Sequence, residues 1–138
     1  MSEIQKIFCC ACNKDVEARL TNGEEIYKKP SDVNYWHKNQ NYLTFPFWVC
    51  DTCKNYVGCH HKTKTPTKPL GCIPTKEIRE WRGYLHKLID KHWETSKERK
   101  EIYSRITKQI GYQYHSAEIR SIGEAKKIYS ICKNKLNF

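Results

Sequence analysis

The sequence predicts an α+β fold, with short β hairpins in the N-terminal part packed with a C-terminal bundle of about three helices. Three observations point there. Two C-x2-C pairs, Cys9/Cys12 and Cys50/Cys53, lie in the first 58 residues among turn formers and short apolar runs. Apolar residues recur at helical spacing only after residue 75. Leu, Ile, Val and Phe together supply 27 of 138 residues, beside a net charge of +10. So small an aliphatic share buries little surface against chain entropy, so a covalent or metal staple is expected.

In chain order, residues 16–20 and 24–28 flank Thr21-Asn22-Gly23. An Asn-Gly step supplies the positive φ angles of a tight turn, which predicts a hairpin. A polar loop follows over residues 29–41. Residues 45–50 read as a strand, with Pro46 placing it at an edge or at its own start. Residues 55–58 are its expected partner. Residues 60–74 carry Pro66, Pro69, Gly71 and Pro74 and no acidic residue, which predicts a surface loop.

The helices come last. Ile78, Trp81, Leu85, Leu88, Ile89 and Trp93 share one face of a first helix that opens at Pro74 or Thr75. Thr95-Ser96-Lys97-Glu98 has the form of a capping box and opens a second, carrying Ile102, Tyr103, Ile106 and Ile110 and stopped by Gly111. Ser121-Ile122-Gly123-Glu124 repeats the signal ahead of Ala125, Ile128, Tyr129, Cys132 and Leu136. The expected layout is residues 1–58 as a β module, 59–74 as a basic loop and 75–138 as a basic helical part, together forming one compact domain.

Two C-x2-C knuckles supply four thiolates, the number a closed tetrahedral structural zinc site takes. The β part therefore reads as zinc-ribbon-like, with one zinc held by Cys9, Cys12, Cys50 and Cys53. No run approaches the ~20 apolar residues of a membrane-spanning helix. The mixed first eight residues lack the apolar core of a secretory signal, so the thiols are expected in a reducing cytoplasm. Cys59-His60-His61 forms one contiguous cluster without a spaced second pair, which favours a buried thiol and loop histidines over a second metal site.

The charge is unevenly placed. Residues 1–58 contain seven basic and seven acidic side chains; residues 59–138 contain eighteen and eight, and so carry the whole +10. A basic surface concentrates phosphate polyanions. Lys62, Lys64, Lys68, Lys76, Arg79 and Arg82 are the expected phosphate contacts. Tyr35 and Trp36, in a very polar stretch, are expected to be exposed, to stack bases or anchor a protein partner.

The run Cys9-x2-Cys12, Trp48-Val49-Cys50-x2-Cys53, Tyr56-Val57-Gly58-Cys59-His60 and Pro69-Leu70-Gly71 resembles the zinc-finger-containing domain family of short phage and bacterial proteins. The resemblance continues through Arg82, His86, Asp90 and Trp93 to Arg99, Tyr103 and His115. It implies a zinc-bound β module joined to a helical tail, phage-borne and at work in the host cytoplasm, and it supplies no reaction. Cys10, Cys72 and the long 29–41 loop depart from the pattern.

Three functions follow as expectations. The first is a non-enzymatic, zinc-stabilised accessory protein that binds DNA or RNA. The second is a binder or inhibitor of a host protein such as a nucleic-acid enzyme. The third is a small hydrolase or nuclease built on His60, His86, Asp90 and His115, in which an imidazole–carboxylate pair acts as general base.

Overall fold

The computed structural model describes residues 3–27 and 41–138. Tyr35 and Trp36, and nearly all of the polar loop, lie outside the described residues. The chain divides into two compact units, Met1–Pro74 and Thr75–Phe138. Among the described residues no helix is long and apolar enough to cross a membrane.

The first unit is a four-stranded antiparallel sheet in the order β1 (Ile4–Cys9), β2 (Lys14–Asn22), β3 (Pro46–Val49) and β4 (Tyr56–Gly58). Alternation along the strands gives two distinct faces. Ile7 and Cys9, Ala18, Trp48 and Cys50, and Val57 and Cys59 pack with Ile73 in one cluster, with Val16 and Leu20 at its margin. Phe47 points the other way, into a cluster with Tyr27 bordered by Tyr42, Phe45 and Tyr56. Tyr27 meets the rings of Phe47 and Tyr42 edge-on at 5.5 and 5.6 Å. Such pairs add stability beyond the area they bury.

The expected hairpin at Thr21-Asn22-Gly23 does not form. β2 runs straight to Asn22, whose side chain accepts from the amides of Glu24 and Glu25 and caps a single helical turn, α1 (Gly23–Ile26). An Asn that caps uses its side chain for the bonds a hairpin turn would have made with backbone. The partner of β2 is instead β1, paired from Ile4↔Arg19 to Cys9↔Lys14. The last rung between β2 and β3 is Asn22↔Pro46, and the Gly23 amide donates to the Phe45 carbonyl at 2.9 Å. The chain thus departs after Tyr27 and returns at Tyr42 through a closed neck.

After β4 the chain folds back on itself. Cys59 bridges Pro69, the His60 amide donates to the Lys68 carbonyl and the Leu70 amide to the Gly58 carbonyl, both at 2.9 Å. The Trp48 indole donates to the Thr67 carbonyl at 2.7 Å, and His61 stacks on Phe45. The expected surface loop is therefore anchored at its root while Lys62, Lys64 and Lys68 stay exposed. Its end returns beside β1, where Cys9 and Ile73 form a parallel bridge.

The second unit contains α2 (Lys76–Asp90), α3 (Ser96–Ile110) and α4 (Ile122–Asn134). Thr75 caps α2 through the Ile78 amide. Thr95 and Glu98 form the full reciprocal box on α3, and Gly111 ends that helix at φ 85°. Ser121 caps α4, but Glu124 reaches the Arg120 amide rather than the Ser121 amide. Ile78, Leu85, Leu88 and Ile89 of α2, Ile102, Ile106 and Ile110 of α3, and Ala125, Ile128 and Cys132 of α4 are buried. Trp93 lies beyond the end of α2, where its indole donates to Asp90 at 2.8 Å.

Tyr114 is 2 % exposed, and its hydroxyl finds no hydrogen-bond partner among the described residues. Its ring stands edge-on to Tyr103 at 5.4 Å, a contact that needs no oxygen. An unsatisfied buried hydroxyl costs more than it returns. Tyr114→Phe is therefore expected to stabilise the chain by about 1 kcal/mol, read as a higher urea midpoint at unchanged slope.

Candidate metal centre

The two turns at one end of the sheet carry the cysteines. Cys9 and Cys12 bracket the β1–β2 turn, and Cys50 and Cys53 the β3–β4 turn. Their four Sγ atoms all lie within 4.8 Å of one another. Cys9 and Cys53 approach to 3.5 Å and Cys12 and Cys50 to 3.8 Å. A zinc ion bonded to four sulfurs sets tetrahedral S···S edges of about 3.8 Å. The donor set and its spacing fit that ion, and four thiolates leave it no open position. The centre is structural.

Both turns use one backbone design. The Asn13 amide donates to the Cys9 carbonyl at 2.8 Å, and the Lys54 amide to the Cys50 carbonyl at 2.7 Å. Asn13 and Lys54 then take left-handed φ angles of 56° and 66°. This bends the chain away once the second sulfur of each pair has been delivered. Asn tolerates the conformation; Lys54 holds it against a steric cost.

Hydrogen bonds tune the sulfurs. Burial pushes the Cys9 thiol up to about 12, partly offset by the amides of Cys12 and Ala11. Burial also raises Cys12. It works against the Cys53 thiolate too, but there the Asn55 amide and side chain, with the Cys9 and Cys50 contacts, together bring the group down to about 7. Asn55 Nδ2 donates to Cys53 Sγ at 3.2 Å. A divalent cation among the four thiols supplies the charge that holds them all as thiolates.

A second layer steadies the turn that bears Cys50 and Cys53. Arg19 on β2 donates Nε and Nη2 to the two Asp51 oxygens at 2.9 Å. It also grips Glu25 through Nη1 and Nη2 at 3.0 and 2.7 Å. These bonds hold Asp51 and Glu25 each down to about 2. Arg19 thereby ties β2, α1 and the metal-bearing turn together with two-pronged geometry.

The model of a zinc-finger-containing domain family matches residues 5–135, nearly the whole chain. The chain belongs to that family. No curated protein and no solved structure matches it.

The remaining candidate residues of this zinc-finger domain are divided between the two units. Among the described residues Cys9, Cys12, Cys50 and Cys53 are the one set of three or more metal-ligating groups that converge. Cys59 is buried in the sheet core, where burial pushes its thiol up to about 12. Cys10 and Cys72 are not ligands of that set, yet their sulfurs approach to 3.8 Å. The contact follows from the backbone, since the Cys10 amide donates to the Ile73 carbonyl at 2.8 Å.

Of the groups in the hydrolase reading, His86, Asp90 and His115 have local partners. His86 Nδ1 lies 3.0 Å from Asp90 Oδ2, an i,i+4 pair that helical spacing alone brings together. His115 is exposed, and its Nδ1 accepts from the Ala117 amide, capping the short 3-10 turn Ser116–Glu118. His60 sits at the root of the basic loop in the first unit.

Among the expected phosphate contacts Lys62, Lys64, Lys68 and Lys76 are exposed and Arg79 is half-buried. Arg82 departs from the expectation: it is buried, with Nε and Nη2 donating to the Ile119 carbonyl at 3.2 and 2.7 Å. A guanidinium so placed pins the segment before α4 to α2. Nothing in local spacing marks Arg19 or Asn55, whose partners are set by the fold. Asn13 and Lys54 do carry a signal, their place directly after the second cysteine of each pair.

Proposed function

We propose that this zinc-finger domain protein binds nucleic acid through the anchored loop that follows β4. The observation that carries the reading is the combination of a pinned root and an unopposed charge. From Thr52 to Lys76 there is no acidic residue, and Lys62, Lys64 and Lys68 stand exposed on the loop. Its root is held by the Trp48–Thr67 bond, the Cys59–Pro69 bridge and the His60–Lys68 bond. Lysines on a fixed loop lose less freedom on binding than lysines on a free one, so the loop supports phosphate contacts at modest cost. Zinc organises the sheet that bears the loop and takes no part in any reaction. The family resemblance adds a phage origin and a host cytoplasm to this reading.

Salt dependence tests it. Each neutralised phosphate releases counterions, so affinity falls steeply with salt. Lys62→Gln/Lys64→Gln/Lys68→Gln is expected to weaken binding to single- and double-stranded oligonucleotides and to shrink the salt slope by about three. Zinc content should not change. Affinity that is undetectable at ~100 mM salt, or indifferent to salt, excludes the reading. A slope unchanged in the triple variant moves the contacts off this loop.

A further inference from the structure

A second feature lies in the helical unit and stands without the loop. Arg99, Lys100, Tyr103, Ser104, Thr107 and Gln113 line an open groove of about 340 Å³ along α3. Its lining contains two cations, three hydroxyls and an amide, and no carboxylate.

Arg99 is the unusual member. Its guanidinium carbon lies 4.8 Å from the Tyr103 ring centre and 5.7 Å from that of Trp93. Rings at this range attract the cation and restrain its long side chain. Among the described residues the Arg99 guanidinium has no ion pair and no hydrogen bond. Glu98, its acidic neighbour in sequence, is committed to the Thr95 cap. Arg99 is therefore a positioned donor fork with its N–H groups unspent.

The far wall is also organised. Thr107 Oγ1 accepts from the Tyr114 amide at 3.0 Å, which fixes that hydroxyl beside the groove. Gln113 Nε2 lies 3.5 Å from the Tyr114 carbonyl. Ser104 and Lys100 sit one helical turn apart on the same side.

We propose that this groove is a phosphate-binding site. Arg99 supplies two-pronged recognition of phosphate oxygens, Lys100 a second positive charge, and Ser104 a donor hydroxyl. A planar guanidinium suits this geometry because two parallel N–H bonds match two phosphate oxygens. The phosphate comes either as a free monoester or as a diester in a nucleic-acid backbone, and the two sources are separable by experiment.

The test uses the full zinc-loaded chain and amide and arginine-side-chain NMR. Inorganic phosphate, a nucleoside monophosphate and a short single-stranded oligonucleotide are titrated in turn, with chloride at matched ionic strength as reference. The expected result is a saturable shift of the Arg99 Nε–H and of the Lys100 and Ser104 amides. A dissociation constant of about a millimolar suits one charge-assisted fork in water. Arg99→Gln should weaken phosphate binding about tenfold or more, with the remaining spectrum unchanged. The triple lysine variant of the loop should leave the phosphate shift intact, so failure of the loop reading and failure of this one are told apart. A tighter response to the oligonucleotide than to the mononucleotide assigns the diester source, and the reverse assigns the monoester. Shifts equal to those of chloride, or shifts that persist in Arg99→Gln, overturn the proposal.

Discussion

Removing zinc from this protein is expected to unfold the β unit and leave the helices largely folded. The four cysteines are not appended to a finished core. Cys9 and Cys50 belong to the cluster with Ile7, Ala18, Trp48, Val57 and Ile73, with Cys12 and Cys53 packed at its margin. A structural zinc contributes on the order of 10–16 kcal/mol to folding. An entire ordinary domain is stable by only about 5–15 kcal/mol. Without the ion, four thiols with their hydrogens must crowd together, and little aliphatic surface remains to offset the loss.

A strong chelator should therefore abolish the near-ultraviolet signal of Trp48 while most of the helical signal at 222 nm persists. Cys50→Ser should reproduce this, because a hydroxyl at that place does not replace the thiolate. Near-ultraviolet spectra unchanged after complete zinc loss would show that the sheet stands without the metal.

The second large effect is expected at Gly23. A Cβ there would lie 1.9 Å from the Tyr42 carbonyl oxygen and 2.9 Å from its carbon. Both atoms are backbone, held by the Gly23–Phe45 hydrogen bond and the ring contact between Tyr27 and Tyr42. No rotamer change relieves such a clash, so the neck must open. Gly23→Ala is expected to cost ~3 kcal/mol or more, the upper end for overpacking.

Gly111 gives the contrast. Its φ is 85° with nothing within 4 Å of an added Cβ, so Gly111→Ala carries only the left-handed penalty, about 1 kcal/mol. Urea titrations of the two zinc-loaded variants should differ accordingly. Equal losses would mean that the neck yields more readily than its geometry implies.

What could be read from the sequence was whatever chemistry or period writes locally. Zinc ligation leaves a fixed two-residue gap, so both pairs are visible without knowing the fold. Caps on α2, α3 and α4 are written in single residues, Thr75, Thr95 and Ser121, followed by apolar periodicity. β1 escaped because only one side of Ile4–Cys9 carries buried residues and the run is mixed. The Asn-Gly step misled because an Asn side chain that caps a helix and an Asn in a tight turn look alike in sequence. Arg19–Asp51 joins residues 32 apart, and Arg82–Ile119 residues 37 apart. Contacts of that reach depend on the finished fold, and no local pattern announces them.

The neck at Gly23 and Phe45 sits at the opposite end of the sheet from the cysteines. β2 runs from the metal turn at Lys14 to the neck at Asn22, and β3 returns from Pro46 to Cys50. The two ligand pairs are thus brought together by adjacent hairpins, β1–β2 and β3–β4, joined through the β2–β3 pairing. Lengthening the passage between Tyr27 and Tyr42 raises its closure cost only logarithmically. Variants of altered length there are therefore expected to keep the β2–β3 register and the four-cysteine set, which their zinc content would check.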